Sequence, residues 1–255
     1  MQHPTSRKGR KRADIVHELR RLLPGQGGGL PAEDRILPFG HPALDGCLPQ
    51  GGLSLSAVHE VMPLTDADKP AALGFVAALL GRLARHGLVV FVTSPGNRLH
   101  GHGLNSLGLD PARIIIVETA NEIQALWAME EALRSGVLAA VAGAAGAKLD
   151  LLAGQRLHLA AGDSGIPLFL LRPPDVPGVN VAATRWHVSA APAARDRFGL
   201  ATHWRWRVRL ARCRNGRTGE WLVEFDHAAY RFCLAAAVAG SAVSRRADAQ
   251  SVAAG

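Results

Sequence analysis

Residues 58–80 read VHEVMPLTDADKPAALGFVAALL and predict a strand, a short polar loop and a helix in succession. The predicted strand covers Val58–Val61. The helix runs from Lys69 to His86, and its apolar residues recur at the spacing of one helical face: Leu73, Val76, Leu79, Leu80 and Leu83. The start of a helix that follows a strand in this way is where α/β proteins bind phosphate groups.

The loop keeps the spacing of the phosphate-binding motif G-x-x-x-x-G-K-[ST] but retains only its lysine, since the residues are Pro63, Asp68, Lys69 and Pro70. The motif works because backbone N–H groups point at phosphate oxygens and a hydroxyl binds magnesium. Both prolines lack an N–H group, and Pro70 also replaces the hydroxyl residue. Asp68 places a carboxylate where a phosphate would lie, and the two negative charges would repel at the helix N-terminus. The loop therefore predicts ATPase-like geometry without nucleotide binding or catalysis, and we expect no cofactor.

The composition is that of one α/β domain with small appendages. The chain has 255 residues, of which 48% are hydrophobic, and its three scattered cysteines argue against a disulfide framework or a zinc site. His100 and His102 have no carboxylate or cysteine nearby in sequence, so we expect no metal there. The sequence contains no apolar run of membrane-spanning length, and its basic first residues do not form a secretory signal. These features predict a cytoplasmic protein without a membrane partner.

Strands and helices alternate after the loop. Continuous apolar runs predict strands buried on both faces, at Leu88–Thr93, Ile114–Val117, Val137–Val141 and Pro167–Leu171. Helices are predicted at Leu149–Ala161 and at Asn121–Ser135, where Asn121 is the N-cap. This alternation predicts an α/β fold with a mostly parallel sheet flanked by helices. After Pro174 the period changes to two, which predicts antiparallel strands within Val179–Val188 and His203–Asp226.

Three segments follow from these patterns. Residues 1–34 form a basic N-terminal arm with a short helix at 13–23, and residues 35–232 form the α/β domain. The domain ends in a C-terminal hairpin at 203–226. Residues 233–255 are rich in alanine, serine and glycine, which predicts a disordered tail.

Asn215-Gly216 predicts a β-hairpin with a two-residue turn, in which Arg214 faces Arg217. On one face this register pairs apolar residues, namely Leu210 with Trp221, Val208 with Val223 and Trp206 with Phe225. On the other face it pairs Arg209 with Leu222, Arg207 with Glu224 and Arg205 with Asp226. The separation into an apolar and a polar face supports the register.

Basic residues are concentrated at both ends of a chain whose net charge is +8. Residues 1–21 hold seven Lys/Arg against two acids, and residues 195–231 hold nine Arg against four acids. This asymmetry indicates either an anionic partner such as nucleic acid or an arginine-rich composition. For the hairpin tip we consider both a binding site for DNA or an acidic protein surface and a solvated edge. The candidate residues are Arg209, Arg212, Arg214 and Arg217; Arg205 and Arg207 are excluded because acidic partners neutralise them.

Several of these segments resemble the RecA-like fold and, within it, the ImuA family of bacterial mutagenesis proteins. The resemblance covers about residues 35–230. It rests on the turn LPQGGL at 48–53, the strand VHEV at 58–61, and the helix after the altered loop. Further matching segments are LGLDPAR at 107–113, RWHV at 185–188 and RCRNGR at 212–217.

The resemblance implies an accessory role in translesion DNA synthesis under the SOS response, as a scaffold for ImuB and an error-prone C-family DNA polymerase. RecA and DNA are further partners that it implies, and the helix at 13–23 is placed to pack on a neighbouring RecA-type subunit. It also implies two other departures from an active ATPase. The strand at residues 89–93 leads into Thr93-Ser94-Pro95 instead of a catalytic glutamate, and Ala142-Gly143-Ala144 stand in place of a magnesium-binding aspartate. Without these carboxylates phosphoryl transfer has no means of catalysis.

Two other functions remain open from the sequence. One is an active RecA-type DNA-dependent ATPase, which would require tight magnesium-dependent binding of ATP. The other is a cell-division inhibitor similar to SulA, which would bind FtsZ. The basic ends and the arginine-rich hairpin favour the DNA-associated role over the second alternative.

Overall fold

The computed structural model describes residues 36–93, 99, 101–146, 148–174, 176, 181–195 and 197–235. The N-terminal arm with its predicted helix at 13–23, and the predicted tail beyond residue 235, lie outside the described residues. The described helices are α1 (Pro42–Asp45), α2 (Lys69–Leu83), α3 (Gly101–Asn105), α4 (Glu122–Arg134) and α5 (Leu151–Ser164). In the same part of the chain, none of them has the length and apolar character needed to cross a membrane.

The first seven strands are β1 (Ile36–Leu37), β2 (Leu53–Ser54), β3 (Val58–Pro63), β4 (Val89–Thr93), β5 (Ile114–Glu118), β6 (Ala140–Ala144) and β7 (Leu168–Leu171). The last four are β8 (Thr184–Arg195), β9 (Ala201–Cys213), β10 (Gly219–Asp226) and β11 (Arg231–Leu234). Strands β3 to β11 form one sheet in the order β11-β10-β9-β8-β3-β7-β6-β4-β5. Pairs from β8 to β5 along this order are parallel, whereas β9, β10 and β11 add antiparallel strands. The predicted α/β fold with an antiparallel C-terminal extension is therefore confirmed.

An aromatic cluster joins α2 to the C-terminal strands. The ring of Phe75 in α2 lies 5.5–6.3 Å, centre to centre, from the rings of Phe39, Trp186, Trp206 and Phe232. All five side chains are buried. Aromatic pairs at this separation stabilise a core beyond the burial of their area alone. The C-terminal strands thus share one hydrophobic core with α2.

Helices α4 and α5 cover the opposite face of the parallel strands. Their buried residues, among them Met129 and Leu157, pack with Val58, Val90 and Leu168 of the sheet. Asn121 caps α4 as predicted, because its side-chain oxygen accepts a hydrogen bond from the Gln124 N–H at 3.0 Å. The two cores lie on opposite faces of the sheet.

The position of β6 differs from the prediction. The apolar run at Val137–Val141 predicted the strand, but β6 covers Ala140–Ala144. The strand uses small residues because α4 lies close above it, and a Cβ atom on Gly143 would lie 2.7 Å from the sulfur of Met129. A pattern that scores large apolar residues misses a strand whose packing requires small ones. Strand β11 was also not predicted, and it extends past residue 232 to Leu234.

The predicted register of the β9–β10 hairpin is wrong by two residues. Leu210 lies opposite Gly219, with Val208 opposite Trp221 and Trp206 opposite Val223. The loop comprises residues 214–218 instead of two turn residues. A shift of two residues leaves each side chain on the same face of the sheet, so the division into apolar and polar faces is as predicted.

Contacts with the segment after α1 explain why the loop between β9 and β10 is longer than the predicted two-residue turn. The Arg217 N–H donates to the Cys47 carbonyl oxygen at 2.9 Å, and the Arg217 guanidinium donates to the Gly46 carbonyl oxygen at 2.9 Å. At the other side of the loop the Arg214 N–H donates to the Ala183 carbonyl oxygen at 2.8 Å. These long-range hydrogen bonds hold the loop open where local turn propensity favours a tight turn.

The register shift also changes the predicted ion pairs. Arg205 pairs with Glu224, not with Asp226, and Arg207 pairs with Glu220 at 3.4 Å, not with Glu224. Both arginines nevertheless have an acidic partner, which was the reason for excluding them from the binding candidates.

Fully buried His59 links three strands through a chain of hydrogen bonds. Its Nε2–H donates to the Ser54 carbonyl oxygen at 2.8 Å, since a carbonyl only accepts. Its Nδ1 therefore accepts from the Thr184 hydroxyl at 2.7 Å, and that hydroxyl accepts from Trp186 Nε1–H at 2.8 Å. Burial lowers the pKa of His59 to about 4, against the opposing effect of the hydrogen bond to Ser54. The imidazole is neutral at pH 7, as this network requires.

We expect the free energy of unfolding to fall as the pH is lowered from 6.5 towards 4. In this window His59 takes up a proton in the unfolded chain but stays neutral in the folded protein, so protons favour unfolding. The loss approaches about 3 kcal/mol at the acid end. Urea denaturation from pH 7 to pH 4.5 measures it, with His59→Gln as the control for other titrating groups. The variant should start less stable, and the difference between the two proteins should narrow with acid; a constant difference would contradict this account.

Candidate functional site

The predicted phosphate-binding loop is a single tight turn between β3 and α2. Residues Asp66–Asp68 form a 3₁₀ turn that leads directly into Lys69, the first residue of α2. The Asp68 N–H donates to the Thr65 carbonyl oxygen at 3.0 Å, and the Lys69 N–H donates to the Asp66 carbonyl oxygen. Pro70 has no N–H group. The turn itself thus occupies the amides of Asp68 and Lys69 at the start of the helix.

The Asp68 carboxylate does not lie on the first-turn amides of α2, which corrects the place predicted for it. One of its oxygens accepts from the Thr65 N–H at 3.1 Å and from the Thr65 hydroxyl at 2.7 Å. The other accepts from the Ala190 N–H of β8 at 2.9 Å. Desolvation alone would raise the pKa of Asp68, but these hydrogen bonds outweigh it and lower the pKa below its ordinary value. Asp68 therefore ties the turn to β8 and does not act as a substitute for phosphate.

Lys69, the one retained motif residue, is paired within the same turn. Its Nζ lies 2.7 Å from a carboxylate oxygen of Asp66, and its side chain is 61% exposed. An exposed pair of this kind contributes little to stability. It does reduce the charge that Lys69 would offer to an anion.

A cavity of about 410 Å³ opens at the carboxyl ends of β3, β4, β6 and β7. This edge of the sheet is where ligands bind in α/β proteins. The lining is mainly apolar, and three charged side chains reach it: Lys69, Glu122 and Arg172. Pro63 also lines it, at the end of β3. The cavity has the size of a ligand pocket, but its charged residues already interact with other protein groups.

Glu122, which the sequence analysis did not select, holds the loop after β6. Its Oε1 accepts hydrogen bonds from the Gly146 N–H at 2.7 Å and from the Lys148 N–H at 2.9 Å. A carboxylate thus lies on backbone amides at the edge where a bound anion would need such donors. The sequence signal was an acid in the first turn of a capped helix, which is usually read as complementing the helix dipole. An acid at this position does not predict a contact with a loop so distant in sequence.

Two arginines, one buried and one half-buried, neighbour the cavity and the buried Glu60. Arg185 of β8 donates from Nε to a Glu60 carboxylate oxygen at 2.8 Å, and Glu60 is fully buried. Arg172, directly after β7, is 2% exposed. Burial lowers the pKa of Arg172, and the charges of Glu60 and Glu122 oppose that effect. Alternating charges therefore balance one another beneath the open edge, and the sequence analysis assigned none of Glu60, Arg172 and Arg185.

Arg209 and Arg212 lie on one face of the sheet because β9 contains an irregularity. Arg209 is opposite His187 of β8, and Arg212 is opposite Arg185. The register shifts between these pairs and leaves Ala211 as an extra residue, as in a β-bulge. Two arginines three residues apart would otherwise point to opposite faces. Both were predicted to lie at the hairpin tip, whereas Arg209 lies well within β9.

Two histidines lie within the electrostatic influence of arginines on this side of the sheet. Burial and then the charges of Arg209 and Arg185 lower the pKa of His187. Burial and then the charge of Arg214 lower the pKa of His158 on α5. Arg214 therefore extends the same positively charged area towards α5. We name Arg209, Arg212 and Arg214 the basic surface.

Arg217 is separated from the basic surface. Its backbone and guanidinium both bind the segment after α1, at Cys47 and Gly46. The structure therefore brings three of the four predicted candidates into one area and gives the fourth a structural role at the loop. Because the guanidinium already holds a carbonyl oxygen, Arg217 offers less to a partner than Arg214.

The fold and these sites define an α/β protein with a cleft at the carboxyl edge of its sheet and a basic antiparallel extension. The chain is 38% identical over 213 residues to Protein ImuA of Caulobacter vibrioides, an alignment that covers 76% of this chain and 85% of the relative. Protein ImuA from a second strain of that species is similar to the same extent. The chain matches no protein-family model. It belongs to the ImuA family.

We expect Glu122→Ala to destabilise the protein by about 2 kcal/mol, because two backbone N–H groups lose a charged acceptor. Glu122→Gln is the matched control, since it keeps an acceptor oxygen and should lose less than half as much. Urea denaturation measures both, and hydrogen exchange should show faster exchange at the Gly146 and Lys148 amides in the alanine variant. A Glu122→Ala variant as stable as the unchanged protein would mean that the carboxylate does not hold this loop.

Proposed function

We propose that this chain is a non-catalytic, RecA-like accessory protein of SOS-induced, error-prone translesion DNA synthesis in the cytoplasm. In this role it is a scaffold for ImuB and an error-prone C-family DNA polymerase, with RecA and DNA as further contacts. Family membership supports this role, and so does the resemblance of about residues 35–230 to the RecA-like fold. The proposal assigns the chain binding surfaces and no chemical step.

The observation that carries the proposal is the closed turn between β3 and α2. The amides of Asp68 and Lys69 donate to carbonyl oxygens of the turn, Pro70 has no N–H group, and Lys69 is paired with Asp66. A phosphate group entering here would have to break these contacts without gaining a nest of N–H donors. The geometry therefore favours a protein that does not bind nucleotide.

Glu122 also disfavours nucleotide binding, from the other side of the cleft. Its carboxylate lies on the amides of Gly146 and Lys148, after the strand that would bear a magnesium ligand in an active ATPase. The segment Ala140–Ala144 contributes no acid there. A triphosphate would meet a fixed negative charge in place of a bound cation.

Nucleotide titration and partner binding test the proposal together. We expect no saturable binding of ATP with magnesium and no hydrolysis above buffer, and Lys69→Ala should behave as the unchanged protein does. We also expect the purified full chain to bind purified ImuB in a sizing experiment, and the complex to recruit the C-family polymerase. Tight ATP binding would instead support an active RecA-type ATPase, and binding of FtsZ without ImuB would support a cell-division inhibitor.

The basic surface is the proposed contact for DNA or for an acidic region of a partner. Arg209 and Arg214 are exposed and extend one positively charged area from β9 towards α5. Arginine suits such contacts because its planar group binds phosphate or carboxylate with two hydrogen bonds.

We expect the double charge reversal Arg209→Glu with Arg214→Glu to weaken binding about tenfold or more at low salt. Fluorescence anisotropy with a labelled oligonucleotide, and sizing with ImuB, measure the two kinds of partner. If DNA is the partner, the slope of log affinity against log salt should fall by about 0.9 for each phosphate that the variant no longer neutralises. The matched control is Arg85→Glu with Arg113→Glu, which changes the net charge equally at exposed arginines elsewhere. Equal affinities of both double variants would mean that the basic surface is only a solvated edge.

A further inference from the structure

Two cysteines from distant parts of the chain lie close together beside the loop between β9 and β10. Cys47 follows α1, and Cys213 is the last residue of β9. Both are partly exposed thiols, and both pack against the hydrophobic core on the α2 side of the sheet. The third cysteine, Cys233, lies in β11 and is also a partly exposed thiol.

Both cysteines lie directly beside Gly216. A Cβ atom on this residue would lie 2.4 Å from the sulfur of Cys213 and 2.5 Å from the carbonyl oxygen of Cys47. One point in space therefore touches the side chain of one cysteine and the backbone of the other. Because glycine has no side chain, no bulky group from this residue stands between the two cysteines.

The backbone around the thiols is held on both sides. Arg217 donates its N–H to Cys47 and its guanidinium to Gly46, and Arg214 donates its N–H to Ala183. These hydrogen bonds keep the end of β9 against the segment after α1. This arrangement holds the two cysteines close together, and closeness of two cysteines is the condition for forming a disulfide without a large movement of the backbone.

Cys47 also influences Cys213 electrostatically. Burial and then the neighbouring Cys47 raise the pKa of the Cys213 thiol. A charge effect between two cysteines falls off with distance and so agrees with their proximity.

We propose that Cys47 and Cys213 are a redox modification site that forms a reversible disulfide when the protein meets a peroxide. The Cys47 thiolate attacks one oxygen of hydrogen peroxide and becomes a sulfenic acid, as the O–O bond breaks and hydroxide leaves. The Cys213 sulfur then attacks the sulfenic sulfur, forms the S–S bond and releases the second oxygen as water. In sum, two thiols and one hydrogen peroxide give one disulfide and two waters, and a dithiol reductant reverses the reaction.

The disulfide would lock the loop that borders the basic surface. In the reduced protein, hydrogen bonds hold this loop to the segment after α1. Such bonds break and re-form when a protein opens locally. A covalent link between Cys47 and Cys213 closes the chain between two distant positions and suppresses that opening. The site is independent of the proposed scaffold function, since it depends only on the closeness of Cys47 and Cys213 in this fold.

The test treats the reduced 255-residue chain with hydrogen peroxide, blocks the remaining thiols, and maps its peptides by mass spectrometry without reductant. The expected product is one intramolecular link between the peptides of Cys47 and Cys213, with Cys233 still a blocked thiol. Dithiothreitol should restore all three thiols. Hydrogen exchange at the Arg217 amide should slow by about tenfold or more in the oxidised protein and return on reduction.

Cys233→Ser is the matched control and should leave the link unchanged, whereas Cys47→Ser should abolish it. Three results would overturn the proposal: thiols that remain reduced, cysteines oxidised separately to sulfinic acids, or links to Cys233 or to a second chain. Because the first measurement needs no variant, it stands even if a cysteine substitution disturbs folding. A failure here leaves the scaffold role untouched, and a failure to bind ImuB leaves this site untouched.

Discussion

Strand β3 carries two adjacent, fully buried ionisable residues, and both form a hydrogen bond with β8. His59 accepts from the Thr184 hydroxyl on one face, and Glu60 accepts from the Arg185 guanidinium on the other. A buried polar group without a partner is costly, so these bonds require β3 and β8 to pair in a single register. That pairing joins the parallel half of the sheet to its antiparallel extension. It thereby positions the turn after β3, the cleft and the basic surface.

The turn after β3 depends on the same pairing. Asp68 reaches the Ala190 N–H of β8, and the Leu64 N–H donates to the Val188 carbonyl oxygen at 3.2 Å. The loop is therefore closed by its own carbonyl groups and also fastened to the neighbouring strand. A loop built in this way has few amides left to surround a phosphate group. The same hydrogen bonds that stabilise the turn thus remove the donors that a nucleotide site needs.

Local patterns predicted the elements whose identity depends on nearby residues. Helix α4 with its Asn121 cap, the buried strand β4 and helix α2 agree with the prediction to within a few residues. Strand β6 was misplaced because its packing under Met129 requires Gly143 and alanines, which strand patterns score poorly. For the candidate site, the sequence selected four residues of the altered loop and four arginines: Pro63, Asp68, Lys69, Pro70, Arg209, Arg212, Arg214 and Arg217. It did not identify Glu122, Arg172 or Arg185, since their partners lie far away in the chain.

The sequence by itself determined the fold class, the faces of the C-terminal hairpin and the residues of the altered loop, because these follow from periodicity and from the chemistry of single residues. Tertiary structure decided the hairpin register, the partner of Asp68 and the separation of Arg217 from Arg214. A shift of two residues leaves hydrophobic burial the same on each face, so the pattern alone cannot distinguish the two registers. The choice is made by hydrogen bonds from the loop to Gly46 and Cys47, which exist only once the chain has folded.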